Sequence, residues 1–205
     1  MQEYIGIKTA MPRTTDGILC RQFENNRKCV EFVGNQPLLP KEDDKAPKPG
    51  DVVFYGGFEW IVLGKEQYGI LVVASEPIAR KMFDTGNLPN WKISSLRKYL
   101  NRRFLSKIGD SDCLLSFRSN LVSYCYQTDF GVSDDKVFLL SESLFRKYKS
   151  LVPSCLWDAW TITPQMTSYV DVRVVLRSGA FGSTSADSFM NIVPCLLLDP
   201  AKFEN

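Results

Sequence analysis

The chemistry open to this chain is set first by what it lacks: among 205 residues there is no histidine. That removes Ser-His and Cys-His nucleophile systems, imidazole metal ligation and the usual proton shuttle near neutral pH. Carboxylates, Lys, Tyr and Cys remain. The six cysteines (Cys20, Cys29, Cys113, Cys125, Cys155 and Cys195) include no C-x-x-C pair and no tight cluster of metal-ligand spacing. A chain of this size does not need disulfide staples, so reduced and mostly buried thiols are expected. No catalytic residue, metal site or cofactor is assigned.

Charge is the stronger signal. The net charge is only +2. Yet the segment from Arg80 to Lys107 holds eight basic residues and one acid, Asp84, so the rest of the chain is acidic. A chain polarised in this way can orient toward a charged partner without general affinity for nucleic acid. Lys92, Lys98, Arg102, Arg103 and Lys107 flank an apolar stripe and are the candidate patch for an anionic partner. Trp60, Trp91, Trp157 and Trp160 are expected mainly in the core, where large rings supply buried area.

These residues need elements to hold them. Asp51–Tyr55, Phe58–Gly64 and Tyr68–Ser75 are short β-rich runs; Gly56-Gly57 is a hairpin turn between the first two. Together they read as an antiparallel meander. Ile93, Leu96, Leu100, Phe104 and Ile108 recur at spacings of three and four, which predicts an amphipathic helix over Trp91–Lys107. Asn90 or Ser94 is placed to cap its start and Gly109 to end it. Downstream, Asp112–Ser116 reads as a short helix, Arg118–Gln127 as a strand and Thr128–Asp135 as a polar loop. Val137–Ser141 reads as a buried strand and Glu142–Lys149 as a short helix. Trp157–Thr163, Tyr169–Arg177 and Ile192–Leu198 are strands, and Ser178–Ser188 is a Gly/Ser loop carrying Phe181. The order is not βαβ, which argues for α+β.

The first 50 residues differ in character. Met1–Lys8 reads as a short strand and Cys29–Val33 as an apolar patch. Pro37–Gly50 contains four prolines, three acids and three lysines and reads as an extended linker. The expected organisation is an extension over 1–50 and a domain over 51–205. With no leader-like start and no apolar run near the ~18 residues of a membrane span, a cytoplasmic protein is expected.

Several motifs stand in order between residues 51 and 200. They are Trp60-Ile61-Val62-Leu63, Trp91-x-x-Ser94-x-x-Arg97-x-x-Leu100-Asn101, Asp135-Lys136-Val137-Phe138-Leu139-Leu140-Ser141, Trp160-Thr161-Ile162-Thr163-Pro164 and Ile192-Val193-Pro194-Cys195-Leu196. With these the chain resembles the domain-of-unknown-function 6273 family of gut Firmicutes and their phages. That family is similar to the C-type-lectin-like fold of formylglycine-generating enzymes and of retroelement variable proteins. Tyr4-Ile5-Gly6-Ile7-Lys8 resembles the start of small phage-encoded proteins. The resemblance implies a C-type-lectin-like α+β domain with short antiparallel strands and one main helix, and it implies that Arg97 makes a structural bond. Two arginines usual in the family are replaced by Ile162 and Val193, which puts the family's polar pocket in doubt.

By analogy with the variable proteins, the segment 163–190 is the expected binding surface. Gln165, Tyr169, Arg173, Arg177, Phe181 and Thr184 are its candidate ligand-binding residues, and strand alternation puts Tyr169, Asp171, Arg173 and Val175 on one face. The function expected first is therefore a non-enzymatic module that binds a protein or a glycan. The alternatives are a phage- or mobile-element-encoded inhibitor of a host defence nuclease, acting through the basic helix, and a formylglycine-type enzyme using Cys155 and Cys195. A protein partner is expected ahead of a glycan or direct nucleic-acid contact; no membrane is implied and the oligomeric state stays open. Calcium at Asp129, Asp134 and Asp135 is a poor match, since that ion wants six to eight oxygens.

Overall fold

The computed structural model describes residues 18–20, 31–33, 36–38, 47–109, 111–126, 129–153, 158–165 and 170–202. Met1–Lys8, Cys155, Trp157 and Tyr169 lie outside them. The architecture is α+β: mostly antiparallel sheet around one main helix.

The expected meander forms as β4 (Val52–Tyr55), β5 (Phe58–Glu66) and β6 (Gly69–Ala74). Val, Ile and Leu alternate too densely for a half-wet sheet, and nearly every residue from Trp60 to Leu63 and from Ile70 to Ala74 is buried. Gly56 turns the first hairpin at φ +58°, and a Cβ there would collide with Ile108 at the end of the helix. Glycine is therefore required twice, for conformation and for space. Ahead of the meander, β1 (Ile18–Cys20) pairs antiparallel with β4. The short strands β2 (Glu31–Val33) and β3 (Gln36–Leu38) pair with each other, so the expected linker starts in a strand.

Beyond β6 the main sheet continues with β16 (Pro194–Leu198) and β11 (Val137–Leu139), and β8 (Leu114–Leu115) also pairs with β16. A second sheet has the order β14 (Phe181–Ser185), β13 (Asp171–Val175), β12 (Ala159–Pro164), β15 (Met190–Ile192), β7 (Ala79–Lys81). A two-stranded ribbon joins β9 (Phe117–Val122) to β10 (Asp129–Asp135).

Four expectations change. Asp112–Ser116 forms a turn and the strand β8 instead of a helix. The polar run before Asp135 is the strand β10, which pairs with β9 and is exposed at Asp129, Val132 and Asp134. The Gly/Ser loop contains β14, an edge strand whose small residues register against β13 from Asp171↔Ser185 to Val175↔Phe181. Ile192–Leu198 is not one strand: β15 lies in the second sheet and β16 in the first, with Val193 between them.

The main helix is composite: a 3-10 turn (Trp91–Ile93), α1 (Ser95–Tyr99), a π turn (Leu100–Phe104) and α2 (Leu105–Ile108). Its buried residues Leu96, Leu100, Phe104 and Ile108 are strictly four apart. In a regular α-helix each four-residue step over-rotates by about 40°. The wider π turn takes up that excess and keeps one face on the core. Both expected caps are used, Asn90 accepting from Lys92 N and Ser94 from Arg97 N. Ile93 falls in the 3-10 turn, outside the stripe, and is 49% exposed; Trp91 is fully buried in its place.

The helix is fastened to β10 and β11 by polar bonds in a dry setting. Asp135, whose side chain is 1% exposed, accepts from Trp91 Nε1 at 2.9 Å, from Arg97 Nε at 2.7 Å and from Ser133 Oγ. Asn101 grips Val137 with both ends of its amide, donating to the carbonyl at 2.7 Å and accepting from the N–H at 3.1 Å. Arg97 thus makes the structural bond expected of it. A buried carboxylate held by charge-assisted bonds is costly to orphan or remove. Asp135→Ala should lower unfolding free energy in urea by about 3–5 kcal/mol, the cost of breaking a buried pair. Loss of under 1 kcal/mol would refute the brace.

Candidate functional site

The basic run of the main helix meets the second sheet at a groove. The antiparallel pair Met190↔Lys81 brings β7 and β15 together, and the helix lies alongside because Leu96 N donates to Phe83 O and Asp84 caps Ser95 N at 2.8 Å. The cavity between them has a volume of about 460 Å³ and is lined by Lys81, Lys98, Tyr99, Arg102, Arg103 and Phe189, with Met82, Thr85, Ser95 and Leu96. That is within the roughly 300–1,000 Å³ of small-ligand sites. Four side chains in the lining are cationic and none is acidic. Asp84, the acid of this segment, is buried and its oxygens accept from the backbone N–H groups of Gly86, Leu88 and Ser95.

The rings differ in their state. The Lys81 ammonium sits 4.6 Å from the centroid of Tyr99, a cation–π contact that occupies one face. Phe189 is 56% exposed, and Arg80 donates to its backbone carbonyl at 3.0 Å. Of the five residues expected to form an anionic-partner patch, Lys98, Arg102 and Arg103 meet here. Lys92 lies near Gly131 on β10 and Lys107 stands 5.1 Å over Phe58, so neither lines the groove. Lys81 and Phe189 were not singled out in the sequence. Lys81 belongs to the basic run, but Phe189 carried no signal, because only the β7–β15 pairing brings it close.

The expected C-terminal surface is largely engaged internally. Arg173 has a 12% exposed side chain and donates from Nε to Glu142 Oε2 at 2.9 Å. Arg146 holds Oε1 of the same carboxylate at 2.6 Å. The Arg173 guanidinium also stacks 4.4 Å from the Tyr124 ring, and Phe181 is covered by Arg146 and packs edge-on to Phe145. Alternation did put Arg173 on the face opposite Val172 and Val174, but the first residue of α3 (Glu142–Tyr148) covers that face. The reading of Arg173 as an exposed ligand contact is corrected accordingly. Thr184 shares a hydroxyl bond with Ser188, Arg177 is exposed beside Asp158 at 3.6 Å, and Gln165 N donates to Asp171 O.

The other chemistry-bearing groups are also placed. Ile162 and Val193 are buried in apolar packing. Trp60 and Trp160 are buried, with Nε1 donating to the carbonyls of Tyr55 and Lys81. Cys195 is fully buried, and burial pushes its thiol far above the usual value, so it is no ready thiolate. Cys113, Cys125 and Cys195 are free thiols. Asp129 accepts from Gly131 N, Asp134 faces Arg118 and Asp135 is sunk in the brace, so the three carboxylates diverge. No group of three His, Cys, Asp or Glu able to hold a metal occurs among the described residues, and no helix among them is long and apolar enough to cross a membrane.

Fold and groove together define an α+β protein of mostly antiparallel sheet with a cationic cleft along its main helix. No family model, curated protein or solved structure matches the chain.

Arg173→Ala should cost about 3 kcal/mol of stability, since it removes one partner of a buried pair; an unchanged melting temperature would return Arg173 to the surface. A second cluster gives a pH dependence. Glu66 accepts from Lys147 Nζ at 2.6 Å and from the Tyr148 hydroxyl at 2.7 Å. Burial pulls its carboxyl upward, but the bonds from Lys147 and Tyr148 outweigh this and hold it below its ordinary value. A carboxyl lowered on folding stabilises above its unfolded value, and that stability is lost as pH falls through the folded value. Glu66→Gln should therefore flatten the fall in stability between about pH 5 and pH 3 in urea titrations. Identical profiles for the two proteins would exclude the assignment.

Proposed function

We propose that the protein is a binding protein whose working face is the basic groove, and that its partner there is anionic. The observation that carries this reading is the lining itself: Lys81, Lys98, Arg102 and Arg103 converge with no carboxylate among them. Like charges held together on a rigid wall repel one another, and an anion relieves that repulsion while steering toward it. The absence of histidine and the buried, protonated Cys195 favour binding over group chemistry. The internal engagement of Arg173, Phe181 and Thr184 favours the groove over the surface around those three residues as the binding face.

The C-type-lectin-like fold and the kinship with the 6273 family belong to the same proposal. In support, Trp91, Ser94, Arg97 and Asn101 bond to one another or to Asp135 and Val137, so two of the motifs that carry the resemblance form one brace. A phage or mobile-element inhibitor that uses this helix against a host protein is a narrower form of the same reading.

The wild-type protein should be retained on a heparin column and elute at a salt concentration set by the groove's cations. Lys98→Glu with Arg102→Glu should abolish retention. Lys65→Glu with Lys149→Glu, an equal charge change at exposed sites off the groove, should leave most of it. Equal elution of the two double variants would overturn the proposal.

A further inference from the structure

Resting on the groove reading, we infer that the anionic partner is a single-stranded nucleic acid, with phosphates held by Arg102, Arg103 and Lys98 and a base stacked on Phe189. Phosphate alone would need only the cations. The groove adds a phenyl ring that is more than half exposed, whereas Phe83, Trp91 and Phe104 near the helix are buried and Tyr99 and Phe58 are partly buried. Phe189 is also held in place: its carbonyl accepts from Arg80, and the next residue, Met190, is locked in register with Lys81. A solvent-facing ring on an anchored backbone beside a basic track is an arrangement that suits unpaired bases, because every base has a face to stack.

Tyr99 cannot serve as that platform on the face that Lys81 already covers. Lys81 instead supplies a further cation at the groove's edge. Arg102 and Arg103 are consecutive, and two planar guanidinium forks can engage successive phosphate oxygens in the bidentate manner that Lys cannot. Beyond the cavity, Lys107 follows Arg103 by one helical step of four and is exposed, its ammonium over the Phe58 ring. That extension fits a polymer better than a mononucleotide. A paired duplex keeps its bases stacked on each other and leaves Phe189 without a face to meet. An acidic peptide would use the cations and leave the ring idle.

The test is fluorescence anisotropy with the full chain and four probes: a labelled ten-nucleotide oligo-dT, its abasic counterpart, a duplex of equal length, and poly-glutamate. The single strand should bind most tightly, with affinity falling as salt rises. Phe189→Ala should weaken oligo-dT binding by about tenfold, within the range for losing one stacked base, and leave abasic binding unchanged. Phe189→Trp should restore it. Lys98→Glu with Arg102→Glu should weaken every probe. If Phe189→Ala has no effect on oligo-dT, or if abasic strand, duplex or poly-glutamate binds as tightly as oligo-dT, the assignment to a single strand with a base on Phe189 fails while the anionic groove stands. If neither these probes nor heparin is held, both fail.

Discussion

The structure depends on one buried carboxylate. Asp135 sits at the end of β10 with three donors around it, one from a ribbon serine and two from the main helix. Taking a carboxylate out of water costs several kcal/mol, and only well-aimed, partly charged donors offset that. Those donors can be in place only if the helix begins at Trp91 and runs at the observed angle. Asn101 repeats the fastening one strand further on by pairing with the backbone of Val137. The helix is thereby fixed in rotation as well as position, and its cationic side is presented outward as a consequence.

The π turn belongs to the same constraint. Apolar residues spaced by four would spiral off the core in a uniform α-helix, and the polar bonds to Asp135 and Val137 would separate from the apolar contacts. Widening the helix at Leu100–Phe104 lets both sets hold together. It also sets the directions in which Arg102 and Arg103 leave the helix. The groove's charge is thus tied to the geometry of the core, which makes the basic cleft a property of the fold as much as of its surface residues.

Much of the core was legible in the sequence because it obeys local rules. The Gly56-Gly57 turn, the four-residue stripe, the caps at Asn90 and Ser94 and the helix end at Gly109 each announce themselves within a few residues. What was not legible is decided by partners far along the chain. The run from Asp129 looks like loop by composition and becomes a strand because β9 offers it a ladder. Small residues at 182–185 do the same on β13. Alternation assigned Arg173 a face but could not say that Glu142 would cover it. Half of the groove was visible as a basic run; the ring that completes it lies more than eighty residues further along the chain and has no local signature.

Val193 separates β15 in one sheet from β16 in the other, and both its neighbours are buried. At this point a single residue therefore joins one sheet to the other. Hinge-like opening between them would have to tear the ladder on one side or the other. One wall of the cleft, β15 laddered to β7, is thereby anchored to the main sheet, and adaptation to an occupant is left to the long, rotatable arms of lysine and arginine.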